Sequence, residues 1–141
     1  MENQTTQTEQ QVISPQERQE FDEFKRQKRV AEARLLIGKI ELSLTQASCE
    51  RAALRRALKD AEKLGIGGVC VLPYLVKPAH DYLGAASEVS VAALISPLGG
   101  TDTTDIKVRQ TKRALRDGAD VAEVTVNVPA VKEGSWGYVK R

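Results

Sequence analysis

Residues 121–128 read Val-Ala-Glu-Val-Thr-Val-Asn-Val, and along an extended chain successive side chains point to opposite faces. Glu123, Thr125 and Asn127 then share one face with Val121, while Ala122, Val124, Val126 and Val128 share the other. A carboxylate, a hydroxyl and an amide in one row can hold protons and bind a polar ligand. The same row also suits a polar barrel interior or an edge strand facing water. Pressed between helices it would lose its hydration at a cost. In a closed parallel barrel the helices cover the outside, and the inside can be polar near the strands' C-terminal ends, where such barrels place their chemistry.

Other reactive side chains are scattered. Cys70 lies within an apolar run, where cysteine behaves as a small buried hydrophobe. Lys77, Lys107 and Lys112 fall in loop or helix positions and read as solvated, whereas Lys132 follows the third apolar run and could approach a barrel mouth. His80-Asp81 has the order of a proton relay, but a lone histidine on a short helix is more often structural. Thr103-Thr104 opens a helix, where capping is a better reading than anion binding. No group of His, Cys, Asp and Glu has the spacing of a metal site, so no metal is expected.

These residues are set in a regular rhythm. Leu64-Gly65 reads as a helix end and residues 68–72 as a buried strand closed by Pro73. Residues 89–95 form a second strand, followed by Pro97-Leu98-Gly99-Gly100 and a helix over 103–116. Asp117-Gly118-Ala119-Asp120 leads into the third strand at 121–128. Residues 39–45 read as a short extended piece, 78–83 as a short helix, and Ser48 as the start of a helix whose Leu54, Ala57, Leu58, Ala61 and Leu64 form an apolar face. Strand, helix, glycine, strand is the pattern of a parallel α/β sheet. Ahead of it, residues 1–13 read as a disordered polar tail. Residues 14–38 read as a charged amphipathic helix started by a Ser14/Glu17 capping box with Pro15 at its first position. Its stripe is Phe21, Phe24, Lys28, Ala31 and Leu35, and its mixed charges are those of a solvated face.

Composition excludes several classes. With 141 residues the chain can bury one core. A net charge of +2 and 4% aromatic residues argue against nucleic-acid binding. No apolar stretch approaches the roughly 20 residues that span a bilayer, and residues 1–11 hold no signal-peptide core. Two cysteines without a secretory signal imply a reducing, cytoplasmic setting.

Four ordered matches carry a resemblance: Gly68-Val69-Cys70-Val71-Leu72-Pro73 with Val76; Pro97-Leu98-Gly99 followed by Thr103-Thr104-Asp105-Ile106-Lys107-Val108; Asp117-Gly118-Ala119-Asp120; and Ala130-Val131-Lys132-Glu133-Gly134-Ser135-Trp136. In this order, over residues 39–139, the chain resembles the deoxyribose-phosphate aldolase family. The resemblance implies a partial TIM (β/α)8-type barrel at 39–141, with three parallel strands and their helices. It implies Schiff-base aldol cleavage of 2-deoxyribose 5-phosphate to acetaldehyde and glyceraldehyde 3-phosphate, a lyase reaction of deoxyribonucleotide catabolism that needs no cofactor. Glu123 and Glu41 match family aspartates of the proton-transfer network, and Cys70, Thr125 and Asn127 would line the substrate pocket. The family carries its Schiff-base and activating lysines on late strands, which these 141 residues do not reach. The expectation is therefore a truncated or split aldolase, inactive in isolation. It would self-associate or bind a complementing C-terminal barrel half, and take a phosphorylated sugar only when complemented. The alternative is a non-catalytic interaction module that uses the charged helix.

Overall fold

The computed structural model describes residues 14–140, so the polar tail expected at 1–13 lies outside the described residues. The chain divides between Arg34 and Leu35 into two compact units. The first consists, among described residues, of most of α1 (Pro15–Ile37). Its start is the reciprocal cap expected from the sequence: Ser14 N–H donates to Glu17 Oε2 at 2.8 Å, and Glu17 N–H donates to Ser14 Oγ at 3.2 Å. Those bonds satisfy N–H groups that a first helical turn leaves unpaired, and they hold the Glu17 carboxyl below its ordinary pKa.

The second unit runs β1 (Glu41–Leu44), α2 (Arg51–Leu64), β2 (Gly68–Val71), α3 (Pro73–Leu83), β3 (Ser90–Ile95), α4 (Thr104–Arg116), β4 (Val121–Val124), α5 (Val128–Lys132) and α6 (Trp136–Val139). All strand pairings are parallel and the spatial order is the chain order, β1-β2-β3-β4. Four strands replace the three expected, because the extended piece at 39–45 pairs in register with β2, Ser43 beside Cys70. Pro73 opens α3 rather than closing β2. Its fixed φ suits a first helical turn, and Pro78, read as a helix start, sits inside α3.

Register explains which face is buried. Val69 and Val71, Val91, Ala93 and Ile95 point to one side, where Leu54, Leu58 and Ala61 of α2, Leu75, Val76 and Ala79 of α3 and Ala114 of α4 close over them. Leu42, Leu44 and Ala122 continue that side at the outer strands. Leu64, expected in the α2 stripe, lies at its last turn and is exposed.

The Asp117–Asp120 motif is a joint. Gly118 holds φ +99°, and a Cβ there would strike the His80 ring. Asp120 then grips β3 with main chain and side chain together: its N–H donates to Val91 O, and its Oδ2 accepts from Val91 N–H, both at 2.8 Å. This sets the start of β4 against β3. Among the described residues no helix is long and apolar enough to cross a membrane.

Candidate functional site

The sheet's other face carries the polar groups. The same register places Glu41 and Ser43 of β1, Gly68 and Cys70 of β2, Ser90, Ala92 and Leu94 of β3, and Val121 and Glu123 of β4 away from the helices. Here Glu41, Cys70 and Glu123 converge. One ligand-type atom of each lies within 4.8 Å of the others, and Cys70 Sγ donates to Glu123 Oε2 at 3.2 Å. The surrounding residues make this possible. Glu41 is in register with Gly68, which has no side chain, and Glu123 reaches back over Ala92, the small residue beside Cys70. Three strand spacings of about 4.8 Å separate β1 from β4, so the long glutamate side chains are what let the two carboxylates meet. Aspartates at these positions would each lose a methylene of reach.

Electrostatics follows from this crowding. Cys70 is 2% exposed. Burial, then the hydrogen bond to Glu123 and the charges of Glu123 and Glu41, push its thiol up to about 12. A thiol so disposed stays protonated and serves as a hydrogen-bond donor rather than a nucleophile. Glu41 is an exposed residue, but partial desolvation of its carboxyl and the neighbouring Glu123 still raise it above its ordinary value, since two like charges this close resist simultaneous ionisation. One carboxyl that takes up a proton readily, beside another held by a fixed donor, can relay a proton. The three donor atoms also form a group that spacing in the sequence did not reveal, and that could touch a metal ion. Binding one would require the thiol to give up a strongly held proton.

Thr125 and Asn127 do not join this group. The strand ends at Val124, so the period-2 alternation expected through 128 stops there. Asn127 caps α5, its Oδ1 accepting from Ala130 N–H at 2.9 Å. Thr125 accepts at its carbonyl from Lys107 Nζ at 2.8 Å, and both residues line a groove of about 510 Å³ between α4, β4 and α6. Lys132 is exposed in the last turn of α5. Asp81 pairs with Lys77 at 3.0 Å and not with His80, so the relay order has no structural counterpart. Thr103 takes the N-cap position of α4, yet its hydroxyl donates to Asp105 instead of accepting a helix N–H.

A second polar cluster has no clear signature in the sequence. Ser96, at the C-terminal end of β3, is 1% exposed and holds φ +57°. Its N–H donates to Gln110 Oε1 at 3.2 Å, its Oγ accepts from Asp102 N–H at 3.3 Å, and Gln110 Nε2 donates to Asp102 Oδ2 at 3.3 Å. A buried non-glycine residue with positive φ is uncommon. The only hint was its place just before Pro97-Leu98-Gly99-Gly100. The cluster fixes the β3–α4 loop, on the side of the sheet where parallel barrels keep their catalytic loops.

No family model matches the sequence. A deoxyribose-phosphate aldolase of Aciduliprofundum boonei is 34% identical over 111 residues, covering 78% of this chain and 49% of that protein. The deoxyribose-phosphate aldolase of Thermococcus kodakarensis is 46% identical over 83 residues, 57% of this chain and 37% of that protein. The chain thus spans half or less of the length of these curated relatives. Among solved structures, the aldolase QR15 matches with a TM-score of 0.67 and 29% identity, over 73% of this chain and 45% of that one. A tetrameric deoxyribose-phosphate aldolase of Aeropyrum pernix, 18% identical, shares the fold with a TM-score of 0.58 over 76% of this chain and 47% of that one. With its sequential parallel strands and their covering helices, the chain is similar in sequence and fold to one part of the deoxyribose-phosphate aldolases.

Proposed function

We propose that the second unit carries the early, proton-handling part of an aldolase site, and that it works on a phosphorylated deoxy-sugar only when further strands complete the barrel. The observation that supports this most is the meeting of Glu41, Cys70 and Glu123 on the face away from the helices. In this reading Glu123, oriented by the Cys70 thiol, and Glu41, raised towards protonation, pass protons to and from the carbinolamine and enamine of a Schiff-base aldol cleavage. The imine-forming lysine comes from elsewhere, because no lysine of the described residues lies on a strand. Without an imine the carbanion of aldol cleavage has no electron sink. Borohydride trapping with acetaldehyde and mass spectrometry tests this: the 141-residue chain alone should show no stoichiometric alkylation of a single lysine.

A second reading, a non-catalytic interaction module, is favoured by one specific feature. β1 and β4 are outer strands of a parallel sheet, and Val121 and Val124 on β4 are about half exposed. Such edges invite pairing with more chain. Co-expression with the C-terminal half of a related aldolase barrel separates the readings. Gain of sugar-phosphate cleavage supports the first, and assembly without activity supports the second.

A further inference from the structure

We propose that α1 is a self-association helix that pairs antiparallel with α1 of a second copy of this chain. The proposal rests on α1 alone and is independent of the aldolase reading. None of its residues is buried, and Phe21, Phe24 and Leu35 are 55%, 63% and 72% exposed. Two phenylalanines more than half exposed on one helix are costly to leave in water.

Their spacing is not random. Residues 21, 24, 28, 31 and 35 follow the alternating three-and-four step of a coiled-coil seam, with Phe21, Lys28 and Leu35 at one seam position and Phe24 and Ala31 at the other. At 23 residues the helix is long enough for a short seam.

Charge selects both the partner and its direction. The first half of α1 is acidic, with Glu17, Glu20, Asp22 and Glu23 against Arg18. The second half is basic, with Lys25, Arg26, Lys28, Arg29 and Arg34 against Glu32. Only an antiparallel second copy lays the acidic half on the basic half at both ends. In that arrangement Phe21 meets the partner's Ala31, and Phe24 meets the partner's Lys28, so each seam lysine lies against an aromatic ring. Flanking the seam, Glu20 faces the partner's Arg34, and Arg18 faces the partner's Glu32, each pair occurring twice by symmetry. A parallel pair would instead set Lys28 against Lys28 within the seam. In the same register Leu35 meets the partner's Glu17, and Lys25, whose Nζ stands 4.2 Å from the centroid of the Phe21 ring on its own helix, faces the partner's Lys25, one repulsion against the four flanking attractions.

The test uses the full chain in low salt, where flanking charges are least screened. Sedimentation equilibrium is measured for the parent, for Glu20→Lys, for Arg34→Glu, for a mixture of those two variants, and for the double variant. Each single change turns two attractions into two repulsions and should weaken self-association about ten-fold. The mixture and the double variant restore opposite charges and should recover it. Circular dichroism on each variant reports whether α1 still forms. A parent that stays monomeric into the high-micromolar range overturns the proposal. So do single variants that associate as the parent does, or a mixture and double variant that stay as weak as the singles.

Discussion

Cys70 on β2 and Glu123 on β4 are joined across the intervening β3 by a hydrogen bond of 3.2 Å, the thiol donating to the carboxylate. Ala92 lies between them, and a larger residue there would obstruct the contact. The bond gives the buried thiol a structural use and gives Glu123 a fixed orientation, which the proposed proton-transfer role would require.

Glu123→Gln should lower the Cys70 pKa from about 12 while leaving it above the ordinary value of 9.0, because burial is the largest cause of the rise and remains. Thiolate absorbance against pH, in a Cys49→Ser background, reads this directly. The Glu41 titration, followed by NMR, should move down in the same variant.

The raised thiol also makes stability depend on pH. The folded chain keeps a proton that the unfolded chain releases near pH 9. The stabilising contribution is whole below that value and is lost as pH rises towards about 12. The loss should reach at most about 1.4 kcal/mol per pH unit. Urea unfolding of Cys70→Ala beside the parent should show a flatter profile in this window. Parallel profiles would contradict it.

Much of this frame was legible in the sequence. The Ser14/Glu17 box is a local signature and formed as read, and runs 68–72 and 89–95 became paired strands because long apolar runs between helices have no other place to be buried. The first strand is not legible as one in the sequence, because its four residues, Glu41-Leu42-Ser43-Leu44, are too few to show a period. The last strand is shorter than its pattern suggests, since Val126 and Val128 continue an alternation that Asn127 breaks by capping α5. The Glu41–Cys70–Glu123 meeting depends on register across four strands, which local pattern does not encode. The resemblance pointed to the two glutamates, but not to the thiol bond.

Gly100 holds φ +65°, and a Cβ there would enter the backbone of Val126. Gly100→Ala should therefore destabilise the chain by about 2 kcal/mol or more, through backbone strain and overlap together. Leu58→Ala, at a fully buried site between α2 and the sheet, should cost about 2–5 kcal/mol through lost burial and a cavity. Denaturant midpoints check both.

The most direct measurement is the activity of this chain co-assembled with the C-terminal half of a related deoxyribose-phosphate aldolase barrel, read as 2-deoxyribose 5-phosphate cleavage with parent and Glu123→Gln. The expected result is cleavage by the parent assembly and a loss of about 10²-fold or more with Glu123→Gln, at unchanged assembly by light scattering. An assembled barrel whose rate is indifferent to Glu123→Gln would contradict the proton-handling role. Cleavage by the 141-residue chain alone would contradict the need for added strands.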